Sequence, residues 1–153
     1  MPNGPQSLLA GRNHAALSND DVRRTINTFL GLDSKVNARY DGNANTHFHV
    51  VKEEGEAEYG EIVFGPDIYP GPGIVDPNSA LSMDAAAAHE LTHYHRWHNK
   101  NELTDPALKH LDEALTSLEA MLRYEKELKP ADIRGLVADA LQRIRLHIDG
   151  LNQ

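Results

Sequence analysis

His89, Glu90 and His93 stand in the order H-E-L-T-H within a run of residues that favours helix. On a helix, side chains four positions apart share one face about one turn apart, so both imidazoles can reach one small cation. Glu90 is rotated about 100 degrees from His89. From there a carboxylate can take a proton from a water polarised by the ion without ligating the ion itself. The chemistry suited to this arrangement is zinc-assisted hydrolysis, with Zn2+ as cofactor and Glu90 as general base.

The element that must present these residues is legible on both sides of them. Leu81-Ser82-Met83-Asp84-Ala85-Ala86-Ala87-Ala88 precedes the motif, and its strong helix formers with small side chains let a helix pack closely inside a core. Steps of about 100 degrees from His89 put Ala85, Ala86, His93, Arg96 and Trp97 on the metal side and His98 nearly opposite. A catalytic zinc usually keeps three protein ligands and one water, so a third ligand must come from elsewhere. The continuation that supplies a third histidine six residues on is absent, because that position holds Asn99. His98 lies on the wrong face. Asp112, Glu113 and Glu119 stand on the next helical segment, beyond a turn at Asn99-Lys100-Asn101.

The segment Asp112-Glu113-Ala114-Leu115-Thr116-Ser117 resembles the second motif of the thermolysin-like gluzincin metallopeptidases, in which a glutamate on the following helix is the third ligand. Carried over by position, the resemblance implies His89, His93 and Glu113 as ligands and Glu90 as base. Those peptidases carry an aspartate four residues after the third ligand, supporting the first histidine. Here that position is Ser117. The resemblance covers about residues 82 to 120. Those enzymes also have a further helical domain supplying a histidine or tyrosine for the oxyanion, and no counterpart of it is expected within these 153 residues. A looser likeness is to small H-E-x-x-H peptidases of bacterial effectors and polymorphic toxins.

Length and composition bound the rest. The 153 residues suit a single domain able to bury a core, and 40% hydrophobic content is that of a globular chain. Cysteine is absent, which excludes disulfides and thiolate metal sites. A net charge of −8 disfavours nucleic acid. No apolar stretch has membrane-spanning length and no secretory signal layout is present, so the expected location is cytoplasmic, with delivery by a non-classical route as the variant. Residues 1–17 read as a flexible leader, and residues 18–153 as one zincin-like domain.

Capping at Ser18 or Asn19, before Val22, Ile26, Phe29 and Leu30, predicts a first helix ending at Gly31. Lys35 to Tyr40 and Thr46 to Lys52 flank Asp41-Gly42-Asn43, which predicts a hairpin, and Glu61 to Phe64 a third strand. The expected fold is therefore α+β, a small antiparallel sheet of about three strands beside the zinc helix, the glutamate helix and a C-terminal helix. By resemblance, Tyr59 to Gly65 is the edge that pairs with an extended substrate. His47 and His49 share one strand face, with Phe48 and Val50 expected inward. The acidic run Glu53, Glu54, Glu56, Glu58 and Glu61 reads as a solvated loop or as attraction for a basic substrate. Gly65 to Gly73, rich in proline and glycine, reads as a stiff connector leading to capping residues at Asp76-Pro77-Asn78-Ser79.

Thr104-Asp105-Pro106 starts the glutamate helix, expected to reach about Leu128. Its leucines, Leu108, Leu111, Leu115, Leu118 and Leu122, lie opposite Glu113 and Ser117, which requires cover on both sides. After Pro130, the repeat Ile133, Leu136, Val137, Ala140, Leu141, Ile144 and Ile148 predicts a helix closing the core. The expected partner is a protein or peptide substrate, with no nucleic acid and no membrane. Tyr69, Tyr94, Arg96, His98 and Tyr124 are the candidate oxyanion donors. Two further readings remain open: a zinc-stabilised interaction module without turnover, and a peptidase held inactive until a regulatory protein partner or a cleavage opens it.

Overall fold

The computed structural model describes residues 12–71 and 81–152. The fold is α+β, with four α-helices among the described residues, α1 (Asn19–Leu32), α2 (Met83–His98), α3 (Lys109–Arg123) and α4 (Pro130–Leu151), and three strands, β1 (Ala38–Tyr40), β2 (His47–Val51) and β3 (Tyr59–Phe64). Helix α2 lies at the centre, against the sheet and α1 on one side and against α3 and α4 on the other.

The alanine run explains that position. Ala85, Ala87, Ala88 and Leu91 are fully buried, and side chains this small let β3, with buried Ile62, Val63 and Phe64, approach closely. Phe29 of α1 stacks on Phe64 at 5.9 Å, which in turn meets Tyr40 at 5.5 Å. The start of α2 is fixed by Ser82, whose Oγ accepts from the Ala85 N–H and donates to Asp132 Oδ1 at 2.6 Å. Asp132 also accepts from the Lys129 N–H at the start of α4, so one hydroxyl and one carboxylate close the N-termini of both helices. The capping residues expected at Asp76 to Ser79 lie outside the described residues.

The sheet departs from the expected hairpin. Its order is β1-β3-β2, with β1 parallel and β2 antiparallel to β3, so it is mixed rather than antiparallel. The connection 41–46 straddles the end of β3: the Asp41 N–H donates to Phe64 O, and the Gly65 N–H donates to Thr46 Oγ1. A Cβ on Gly65 would lie 1.7 Å from Ala44 O, so only glycine fits under this arch. The real hairpin joins β2 to β3 through a turn with Gly55 at φ 81°. Tyr59 to Gly65 consequently forms the middle of the sheet, not an edge.

Of the expected leader, residues 12–17 are held to the body. Arg12 is buried and donates to Asp67 O and Ile68 O, both at 2.8 Å, and to Leu81 O. Helix α3 ends at Arg123, short of the expected Leu128. It turns buried Ala114, Ser117 and Ala120 inward, while Leu115 and Leu122 of the leucine stripe stay exposed, as do Leu141 and Ile148 of α4.

Candidate metal centre

Helix α2 delivers His89 and His93 on one face, with ring centroids 4.7 Å apart and planes at 85°. Helix α3 runs beside it and brings Glu113 against both: Glu113 Oε1 lies 2.9 Å from His89 Nε2 and 2.9 Å from His93 Nε2. One ligand atom from each of the three residues falls within a 4.8 Å set. Among the described residues this is the one group of three or more His, Asp or Glu side chains so placed.

The protonation states required here test whether a cation fits. A carboxylate only accepts, so each 2.9 Å contact needs a proton on the facing imidazole nitrogen unless a cation lies between them. Burial pushes the His93 pKa down, but the hydrogen bond to Glu113 and the charges of Glu113, Glu90 and Asp112 outweigh it and hold it above its ordinary value. Burial likewise raises the Glu113 carboxyl, yet its bonds to both histidines hold it far below the usual carboxylate range. Two neutral imidazoles and one carboxylate converging on a point are a donor set that one divalent ion satisfies in place of the two protons.

The support behind His89 comes from an unexpected direction. Its Nδ1 lies 2.8 Å from Ser117 Oγ, and the Ser117 hydroxyl donates to Asp139 Oδ2 at 2.6 Å. Asp139, on α4, also accepts from Arg143 Nε at 3.0 Å. Arg143 Nη1 lies 3.7 Å from Glu113 Oε1. Sequence reasoning missed Asp139 and Arg143 because it treated α4 as core filler. The available signal was two polar residues one turn apart, flanking Leu136 and Ala140 on the buried face.

These groups line a cavity of about 380 Å3, whose walls include Glu90, Glu102, Thr46, His47, Phe48 and Arg12. The competing third ligands are engaged elsewhere. Asp112 accepts from Arg96 Nη2 at 2.6 Å and from the Leu103 N–H, while Glu119 pairs with Arg96 and Arg123. His98 stacks on Tyr94. His47 Nε2 faces His49 Nδ1 at 3.1 Å, and His49 Nε2 faces Glu61 at 2.9 Å, so this pair belongs to a strand-surface chain and not to the cluster. Phe48 packs on Tyr94 and Trp97 as expected, but Val50 is exposed rather than turned inward. Residues 52 to 58, with most of the acidic run, are an exposed loop.

None of the five expected oxyanion donors lines this cavity. The Tyr69 hydroxyl bonds Asp21 O and approaches Thr25, Tyr94 packs on Trp97 and Phe48, Arg96 is occupied by Asp112, and Tyr124 is buried with its hydroxyl unbonded among the described residues. No family model, curated protein or solved structure matches the chain.

Proposed function

We propose that the protein is a zinc-dependent metallopeptidase, with His89, His93 and Glu113 holding the ion and Glu90 acting as general base. The observation that carries this reading is that Glu90 lines the same cavity as the three converging ligand atoms. A site built only to stabilise the fold has no use for a carboxylate beside its ligands. When bound, zinc supplies Lewis acidity, polarising the scissile carbonyl and making a water nucleophilic near neutral pH. Glu90 takes the proton of the attacking water and returns it to the leaving amine. Ser117, behind His89, fixes the ring so that Nε2 faces the cluster.

A substrate edge follows from the strand order. Ile62 N donates to Asn37 O and Phe64 O accepts from Asp41 N, so these β3 residues turn their backbone groups toward β1. Glu61 and Val63 therefore bond to β2, through His49 and His47. The backbone N–H and C=O of Phe48 then point away from β3, beside the cavity it lines. An extended peptide adding to β2 at Phe48 brings its backbone past Glu90.

The test begins with metal analysis of the purified protein and of Glu113→Ala. One zinc per chain, falling sharply in the variant, supports the site. Glu90→Gln then retains zinc and thermal stability while cleavage of a mixed peptide library falls by about 10²–10⁴-fold, the range for loss of a general base. A Glu90→Gln protein that cleaves as fast as the parent refutes the mechanism.

A further inference from the structure

We infer that Asp139, from the C-terminal helix, is a positioning residue for the metal centre, acting on His89 through the hydroxyl of Ser117. The inference deepens the metal-binding part of the proposed function and rests on it.

The direction of every proton in the chain is forced from one end. Asp139 is buried and lies beside the Arg143 guanidinium, which donates to its Oδ2. An ionised carboxylate accepts only, so the single proton of the Ser117 hydroxyl must point to Asp139. The Ser117 lone pair is then what faces His89 Nδ1, and the 2.8 Å contact requires the proton to sit on Nδ1. In the neutral imidazole this leaves the Nε2 lone pair aimed at the Glu113 and His93 side, where the ion would lie. The tautomer of the first ligand is thus set two residues away, by a carboxylate on a different helix.

A serine at position 117 could not do this alone. Its hydroxyl can rotate to donate to His89 Nδ1, which would select the wrong tautomer and put a proton on Nε2. Asp139 removes that choice. The arrangement also accounts for a charged pair, Asp139 and Arg143, on the buried side of a helix whose neighbouring positions are Leu136 and Ala140. Partners of this kind typically change metal affinity by about 10–100-fold when removed.

The experiment uses the full chain with Ser117→Ala, Ser117→Thr and Asp139→Asn. Ser117→Ala leaves the Asp139–Arg143 pair in place, so it isolates the relay from the packing of α4. Zinc affinity is read by competition with a chromophoric chelator, and the proton on His89 Nδ1 by nitrogen-15 NMR of the metal-free protein. The expected result is about a 10–100-fold loss of affinity in Ser117→Ala with loss of the fixed Nδ1–H form, and recovery of both in Ser117→Thr, which restores the hydroxyl. Asp139→Asn lowers affinity in the parent but loses most of that effect when Ser117 is already alanine. Ser117→Ala with parental affinity and an unchanged Nδ1–H tautomer overturns the inference, as do additive effects of the two substitutions. A parent protein that binds no zinc refutes the proposed function instead, while the tautomer measurement still decides the relay.

Discussion

Glu113 serves two imidazoles at once, and this gives the centre a pH signature. Its depressed carboxyl contributes stability that is present above about 4.3, the unfolded value, and is lost as pH falls through the folded one. His93, whose value is raised, contributes stability that is present below about 6.5 and is lost as pH rises through its folded value. In metal-free protein both contributions are complete between about 4.3 and 6.5 and fade only as pH moves outside that window toward the folded values. Above the raised His93 value the attraction to Glu113 disappears, and there a metal ion meets no competing proton. Zinc is therefore expected to raise the melting temperature more near about pH 8 than near about pH 6. Scanning calorimetry with and without zinc checks this, and an increment that shrinks toward alkaline pH counts against the three-ligand cluster. At this scale the chain was most readable where spacing is local. His89, Glu90 and His93 follow from helical geometry alone, and Glu113 followed from resemblance. Asp139 was missed because its bond to Ser117 depends on how α4 crosses α3, whereas the local pattern shows only a polar pair on a buried face.

Among the elements, α2 and α4 share their starts. The Ser82 hydroxyl and the Asp132 carboxylate each satisfy an N-terminal N–H and bond each other. Asp132→Ala removes the acceptor at one helix start and the partner at the other, so a loss of about 1–3 kcal/mol is expected in urea unfolding. A loss no larger than that of an exposed helix cap would show the two starts to be independent. The element types were largely readable: the cap at Ser18, the helix at the motif and the proline start of α4 all follow from local chemistry. The sheet order was not. Asp41-Gly42-Asn43 is a sound turn signal, but the arch it belongs to spans β3 instead of closing a two-strand hairpin. Gly65 was read as part of a stiff connector, whereas the close approach of Ala44 O is what requires it. Gly65→Ala is accordingly expected to cost at least about 1–3 kcal/mol, as overpacking does. Unaltered stability in the same urea assay would show that the arch can shift.

For the molecule as a whole, the cavity is assembled from distant parts of the chain: Arg12 before the first helix, Thr46 to Phe48 in the sheet, α2, α3 and finally Arg143 near the end. Arg12 spans the 66–70 turn and the approach to α2 through three backbone carbonyls. Arg12→Ala leaves those carbonyls without their charged donor, and a loss of about 2–5 kcal/mol in unfolding free energy is expected, since hydrogen bonds to charged groups contribute about 1.5–3 kcal/mol each and are not additive. A thermal midpoint equal to the parent's would show that solvent replaces the guanidinium without cost. The acidic composition gives no hint that the two arginines of the cavity wall are spent on internal contacts, Arg12 with the backbone and Arg143 with Asp139.

The strand order also dictates a sequence of events during synthesis. Strands β1 and β2 emerge first, but neither pairs with the other in the finished sheet, because the strand between them is made last. Until residue 64 has been added, both lack their native neighbour. Among the described residues the next α-helix to appear is α2, whose alanine face covers β3. A nascent chain truncated before β3 would therefore expose the unpaired edges of β1 and β2 to its neighbours, and one truncated before α2 would leave the apolar face of Ile62 and Phe64 uncovered.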